Sequence, residues 1–200
     1  HTVEPSMDTL AQRMIAASGA AVVTDSPVAS VAQSDTAVRV TLAAGGIHDA
    51  SHVIVATGAE PQRPWWVPAD APNVMDVREV LSQPGSGPQP GDSVVVVDEI
   101  GFHHATSVAE LLADRGCHVE IVTPGMVVGQ DLGITLDMEN WWMRAGAKGI
   151  VQSTDLVPMG FAGDELTLLH HPTGQNRTRT VDWLVLAVPA NPVEWLYHDL

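Results

Sequence analysis

The sequence predicts an α/β fold, and three kinds of stretch predict it. "SVVVVDEIGFHHATSVAELLADRGCHVEIVTP", Ser93 to Pro124, reads as a strand, a turn, a helix and a second strand, which is how a dinucleotide-binding unit opens. "AVRVTL" alternates, with Val38, Val40 and Leu42 on one face and Arg39 and Thr41 on the other, as a half-buried antiparallel strand does. "SHVIVATGAEP" and "VDWLVLAVPANP" are continuous apolar runs, the mark of strands covered on both faces.

Taken in order, Leu10, Met14 and Ala17 recur at helical spacing, and Gly19 offers a stop just beyond. Residues 21–24 form a short apolar strand, followed by a weaker one. Ser34-Asp35 and Gly45-Gly46 supply turns on either side of "AVRVTL", completing a small antiparallel meander. The meander feeds the apolar strand that stops at Gly58. Residues 61–92 are rich in Pro, Gly and Ser and read as a crossover between lobes, with one or two helical turns in "NVMDVREVLS". After the strand–helix–strand unit comes a loop around Gly125 and Gly129. A helix is expected from Thr135 to Ala147, with Leu136, Trp142 and Met143 toward a core. "GIVQSTDLVPMGF" and "DELTLLHHP" read as an antiparallel pair, and residues 181–200 as a buried strand returning to the first lobe.

The bulk composition excludes several classes. The 200 residues are 45% apolar, enough for a core in one large domain or two small ones. No apolar run approaches the ~20 residues of a membrane span, and no basic segment leads into an apolar one as in a signal peptide. The opening His in place of Met suggests a fragment or a processed chain. A formal charge of −15, from 24 acids against nine Lys and Arg, disfavours nucleic acid and anionic membranes as partners. The lone Cys117 fits a reducing, cytoplasmic compartment and excludes a four-cysteine cluster within the chain.

Two stretches carry candidate chemistry. A buried strand ending in Thr57-Gly58 lets the backbone approach whatever lies at its carboxyl end, where ligands of open α/β sheets bind. A core strand that merely ends in a turn explains the same residues. In the second, Val97 is followed by Asp98-Glu99-Ile100-Gly101-Phe102-His103-His104. Only Gly101 remains of the glycines that bring amides to a pyrophosphate, and two acids stand where phosphate charge would sit. Thr123-Pro124 occupies the end of the next strand, where an acid would hold a ribose. This is a poor NAD(P) site, although an adenosine fits through hydrogen bonds and stacking.

Val55-Ala56-Thr57-Gly58-Ala59-Glu60-Pro61 resembles the "ATG" segment of flavoprotein reductases with two dinucleotide domains, and the order of meander, ATG strand, crossover and βαβ unit is theirs as well. The altered turn with "SVAELLADRGCHVEIVT", and the segments "TPGMVVGQDLGITLDMENWW" and "DWLVLAVPANPVEWLYHDL", resemble the trimethylamine dehydrogenase and 2,4-dienoyl-CoA reductase group of Old Yellow Enzyme relatives. The resemblance is closest to the mycofactocin-associated type. It implies two interleaved Rossmann-like lobes: a partial FAD lobe, 1–60 with the return strand 181–200, and a degenerate NAD(P)- or ADP-binding-like lobe, 93–180. It implies a fragment of a flavin-dependent oxidoreductase, with FMN and a 4Fe-4S cluster in a missing N-terminal barrel that is the chain's main partner. Thr57 and Gly58 would lie near FAD, and Asp98 and Gly101 would line the second nucleotide pocket. No catalytic residue is expected here, and the fragment alone should be inactive. Pro189 departs from the group's wider pattern, which has Gly there. The alternative is a non-catalytic module that binds ADP or docks a protein.

The remaining constellations point elsewhere. His170 and His171, as neighbours on a strand, face opposite sides and make a poor metal pair. His103 and His104 open a helix, where they either support the fold or touch a nucleotide. Trp65-Trp66 and Trp141-Trp142 read as core, or as docking surface for missing domains. Asp137 and Glu139 are spaced as surface charges, and no GxSxG setting suggests a hydrolase.

Overall fold

The computed structural model describes residues 7–83 and 85–198. Its contacts divide the chain into two units, one reaching up to Gly58 and resuming at Pro192, the other running from Ala59 to Asn191.

The first unit opens with helix α1 (Met7–Ser18), which ends before Gly19 at φ +69°. Strands β1 (Val28–Gln33), β2 (Val38–Leu42) and β3 (Ile47–Ala50) form the expected antiparallel meander in that order. Arg39 on β2 stands opposite Asp49 on β3 and donates to it at 2.7 and 3.0 Å, an exposed pair that holds register more than it stabilises. Burial in this unit is sparse: Val31 and Leu196 are the buried hydrophobics among its described residues. Residues 21–24 and 52–57 were expected as strands, yet neither pairs with a strand among the described residues. Val22, Val23 and Ile54 are exposed, Ile54 at 92%. Apolar patterning makes a segment competent for a sheet, but a ladder forms only where a neighbour supplies the other half of each hydrogen bond.

The second unit carries β4 (Ala59–Glu60), β5 (Val74–Asp76), α2 (Val77–Ser82), β6 (Ser93–Asp98), α3 (His103–Asp114), β7 (His118–Val122), α4 (Met138–Ala147) and β8 (Val151–Ser153). Then follow β9 (Leu156–Ala162), β10 (Glu165–His170), β11 (Gln175–Thr180) and β12 (Trp183–Ala187), and β13 (Asn191–Pro192) pairs with β4. The first unit resumes within β13 and includes the short helix α5 (Trp195–His198). A five-stranded parallel sheet runs β5-β12-β6-β7-β8, and an antiparallel sheet runs β11-β10-β9. The pleat explains the layering. Val94 and Val96 face α3 and α4 and pack with Val108, Leu112 and Trp141. Val95 and Val97 face the antiparallel sheet and pack with Leu156, Phe161, Leu166 and Leu168.

Four expectations need correction. Residues 61–92 are more than a crossover, because β5 and α2 within them complete one edge of the parallel sheet. Asp76 begins α2 with a capping box, accepting from the Arg78 amide at 2.8 Å while Glu79 Oε2 accepts from the Asp76 amide at 2.7 Å. The strand expected to return to the first lobe is β12, which instead lies between β5 and β6. The expected pair of strands at 149–161 and 164–172 is three pieces: β8 joins the parallel sheet, β9 pairs with β10, and His171 falls in the turn after β10. Finally, α4 starts three residues late and buries Trp141 and Ala145, while Leu136, Trp142 and Met143 are exposed. Packing of Trp141 and Ala145 in the core sets that rotation, and Arg144 reaches both Glu110 on α3, at 3.0 Å, and Asp137 at the start of α4, at 3.0 Å. Asp137 is thus held in an ion pair. In each Trp pair one member is core, Trp66 and Trp141, and Trp65 and Trp142 are exposed.

Candidate functional site

Strand β6 delivers Asp98 to the carboxyl end of the parallel sheet, where the turn into α3 begins. The side chain is fully buried. Its Oδ1 accepts from the Gly101 amide at 2.7 Å and its Oδ2 from the Gly129 amide at 3.1 Å. The Gly101 carbonyl in turn accepts from the Asp131 amide at 2.7 Å, so the β6–α3 turn and the loop after β7 are laced together around one carboxylate. Gly101 takes φ +73° and Gly129 φ +66°, conformations that favour glycine.

Beside this knot is a crevice of about 250 Å³, lined by Glu99, Gly101, Thr123, Gln130 and Asp131 among others, with no Lys or Arg in its wall. The Thr123 hydroxyl accepts from the Gly125 amide at 3.1 Å. Phe102 begins α3 without a side-chain cap. Asp98 and Gly101, paired by the sequence reading, are therefore in direct contact, but both Asp98 oxygens are engaged within the chain. The sequence reading missed Gly129, whose place beside Asp98 depends on a contact 31 residues away. A glycine in a loop after a βαβ strand was the only signal available for it.

Burial pushes the Asp98 carboxyl above its ordinary value, opposed by the amides of Gly101, Gly129 and Ile100 and by His104. Burial pushes Glu99 up as well. A carboxyl raised on folding contributes stability that is fully present below its unfolded pKa of about 4 and lost as pH rises through the folded value. Glu99→Gln is therefore expected to flatten the fall in stability above pH ~4 relative to the parent chain, read as Tm against pH. An unchanged profile contradicts the assignment.

In the first unit, Thr57 and Gly58 line a hollow of about 400 Å³ with Val55, Val193, Glu194 and Tyr197. The Thr57 hydroxyl donates to the Val193 carbonyl at 2.5 Å, and the Val193 amide donates to the Gly58 carbonyl at 3.0 Å. Gly58 sits at φ +75° with nothing within 4 Å of where a Cβ would lie, so its backbone shape requires glycine although space does not. The residues fit the edge of a planar ligand: small, open and presenting backbone at Ala56 to Gly58.

A further hollow, about 440 Å³, was not foreseen; it lies by the amino ends of β6 and β7, with Ser93, Cys117, His118, Glu120, Lys148 and Arg179 in its wall. Arg179 donates to both Glu120 oxygens at 2.8 and 3.0 Å, and Ser153 adds a bond to Glu120 at 2.6 Å. Its charges are thus largely self-paired. Burial, then Asp92, raises the Cys117 thiol, which favours the unreactive form. His103 Nε2 is 3.3 Å from the Thr135 hydroxyl, His170 Nδ1 is 2.7 Å from that of Thr173, and His171 is 3.5 Å from Asp155. Among the described residues no three His, Cys, Asp or Glu side chains gather as a metal site would need. No helix is long and apolar enough to cross a membrane among those residues.

Residues 3–79 match the family described as flavin containing amine oxidoreductase. The chain is 30% identical over 158 residues to N,N-dimethylglycine/sarcosine dehydrogenase of Chromohalobacter salexigens, covering 74% of this chain and 22% of that protein. Among solved structures it resembles 6-hydroxypseudooxynicotine amine oxidase of Pseudomonas geniculata, with TM-score 0.66 and 28% identity over 76% of this chain and 23% of that one. It also shares its fold with the bacillithiol disulfide reductase of Bacillus cereus, with TM-score 0.69 and 16% identity over 96% of this chain and 58% of that one. The fold class read from the sequence stands: α/β, with a parallel sheet of the Rossmann-like kind. The chain spans under a quarter of the length of that dehydrogenase and of that amine oxidase.

Proposed function

We propose that the chain is the nucleotide-binding portion of a flavin-dependent oxidoreductase of the trimethylamine dehydrogenase and 2,4-dienoyl-CoA reductase group, acting on an amine in the cytoplasm. The observation that carries the reading is the match of residues 3–79 to flavin containing amine oxidoreductases, which spans the Thr57-Gly58 turn. The two relatives named for amine substrates support an amine over an enone. FAD, when bound, supplies the redox chemistry. The chain's part is the open backbone at Ala56, Thr57 and Gly58, with Thr57 holding the turn to Val193. FMN and a 4Fe-4S cluster belong, on this reading, to residues outside this chain, since Cys117 is its sole cysteine. The exposed Val22, Val23 and Ile54 support a continuation of the first unit's sheet by such residues.

The second lobe does not fit NAD(P). Its turn keeps one glycine, and its crevice holds Glu99 and Asp131 and no cation. A second reading, a lobe that binds ADP without a role in catalysis, draws on the same crevice, where Thr123 and Gln130 offer hydrogen bonds to an adenosine.

The test is anaerobic titration of the protein expressed from its complete gene, purified with its flavin. Bleaching of the flavin absorbance by sarcosine or dimethylglycine, and not by NADH, is expected. Reduction by NADH with no response to any secondary or tertiary amine overturns the reading.

A further inference from the structure

An amide pair that converges on a buried point at the carboxyl end of a parallel strand is a place for an anion. Here the amides of Gly101 and Gly129 converge, from two loops, on the carboxylate of Asp98. The side chain comes from the last residue of β6, is fully buried, and uses one oxygen on each amide. A ligand's phosphate approaching the α3 turn from the crevice would meet amides that are already bonded and a negative charge already in place.

Two further features show that the arrangement is built around that charge. Gly101 and Gly129 both hold positive φ, so the amides are presented by conformations that most residues resist. At Gly129 the surroundings are closed as well, since a Cβ there would stand 2.8 Å from Leu132 Cδ1 and 3.1 Å from Thr106 Cγ2. The second loop is therefore pressed onto α3 with its amide toward Asp98, and the Asp131 amide on the Gly101 carbonyl closes the ring from the other side.

We propose that Asp98 is an internal anion that fills the second lobe's own phosphate cradle, and that it is the residue determining which ligands this lobe refuses. The inference rests on the reading above that the lobe does not take NAD(P), and it names the cause. The missing glycines alone would only weaken a dinucleotide site; an engaged carboxylate closes it to any phosphate-bearing ligand. The ligand class the cradle would accept, were it vacated, is a small oxyanion or the phosphate of a nucleoside diphosphate.

The experiment compares the parent chain with Asp98→Ala, titrating each with inorganic phosphate and with ADP by thermal shift and calorimetry. The parent is expected to respond to neither beyond the effect of ionic strength. Asp98→Ala is expected to gain saturable phosphate binding, about tenfold or more over the parent, as charge-assisted bonds to two freed amides would give. A gain for phosphate alone identifies a bare anion cradle, a gain for ADP as well a nucleotide site, and either upholds the proposal. A folded Asp98→Ala that gains neither overturns it, while the NAD(P) reading survives if the parent also ignores NADH. Should Asp98→Ala not fold, Asp98→Asn is read by amide hydrogen exchange. Its amide nitrogen cannot accept, so at least one of the Gly101 and Gly129 amides should exchange about tenfold faster. Unchanged exchange at both overturns the proposal.

Discussion

Asp98→Ala is expected to lower the stability of the chain by about 2–4 kcal/mol in urea unfolding, with the midpoint moved and the slope unchanged. The reasoning starts from the two amides. A buried donor left without a partner costs about 1–3 kcal/mol. The Gly129 bond is buried and should show that cost in full, whereas the Gly101 bond is only partly buried and water restores some of it. Against this stands a small gain, since a desolvated carboxylate held above its ordinary pKa is removed. The loss of the amide partners wins because two bonds are lost, leaving the Asp131 bond to Gly101 to join the turn and the loop at that point. A change under about 0.5 kcal/mol would mean that Asp98 does not hold the turn.

The second large effect is expected at Gly129, with Gly58 as its control. Both have positive φ, so alanine at either incurs the left-handed backbone strain, about 1–2 kcal/mol. Only at Gly129 does the new methyl also collide, at 2.8 Å from Leu132 and 3.1 Å from Thr106, both buried. Overpacking of that kind costs a further 1–3 kcal/mol or so. Gly129→Ala should therefore lose about 2–5 kcal/mol and Gly58→Ala about 1 kcal/mol, measured side by side by chemical denaturation. Equal losses would show that the loop after β7 yields freely and does not press its amide on Asp98.

The strand–helix–strand unit was legible because its signals are local: four valines in a row, then an apolar stripe that α3 buries as Ala105, Val108, Ala109 and Leu112. The place of β12 was not, since strand order is settled by pairing between residues far apart in the chain, Leu184 with Val95 and Leu184 with Val74, of which the residues themselves carry no mark. β5 escaped notice as three residues in a Pro- and Gly-rich stretch, although Asp76 and Glu79 already spelled a helix start behind it. On α4 Trp141 is the member that packs in the core and Trp142 the exposed one, with Arg144 reaching two acids beside them, a choice that helical spacing alone did not settle. The candidate site divides in the same way. Asp98 was visible as an acid in an unusual place, but its function as an acceptor depends on Gly129, and sequence spacing does not reveal a contact made across a loop. In the first unit residues 21–24 and 52–57 have the apolar pattern of strands, but neither is a strand of any sheet among the described residues.

The claim at the centre of this account is that the second lobe has the dinucleotide fold without a dinucleotide site. Calorimetric titration of the chain with NADH tests it most directly, with ADP run in parallel. Heats of dilution alone for NADH and for ADP, at concentrations up to the millimolar range, are the predicted result. A micromolar dissociation constant for NADH would contradict the account, because a pyrophosphate would then be binding at a turn that Asp98 holds closed.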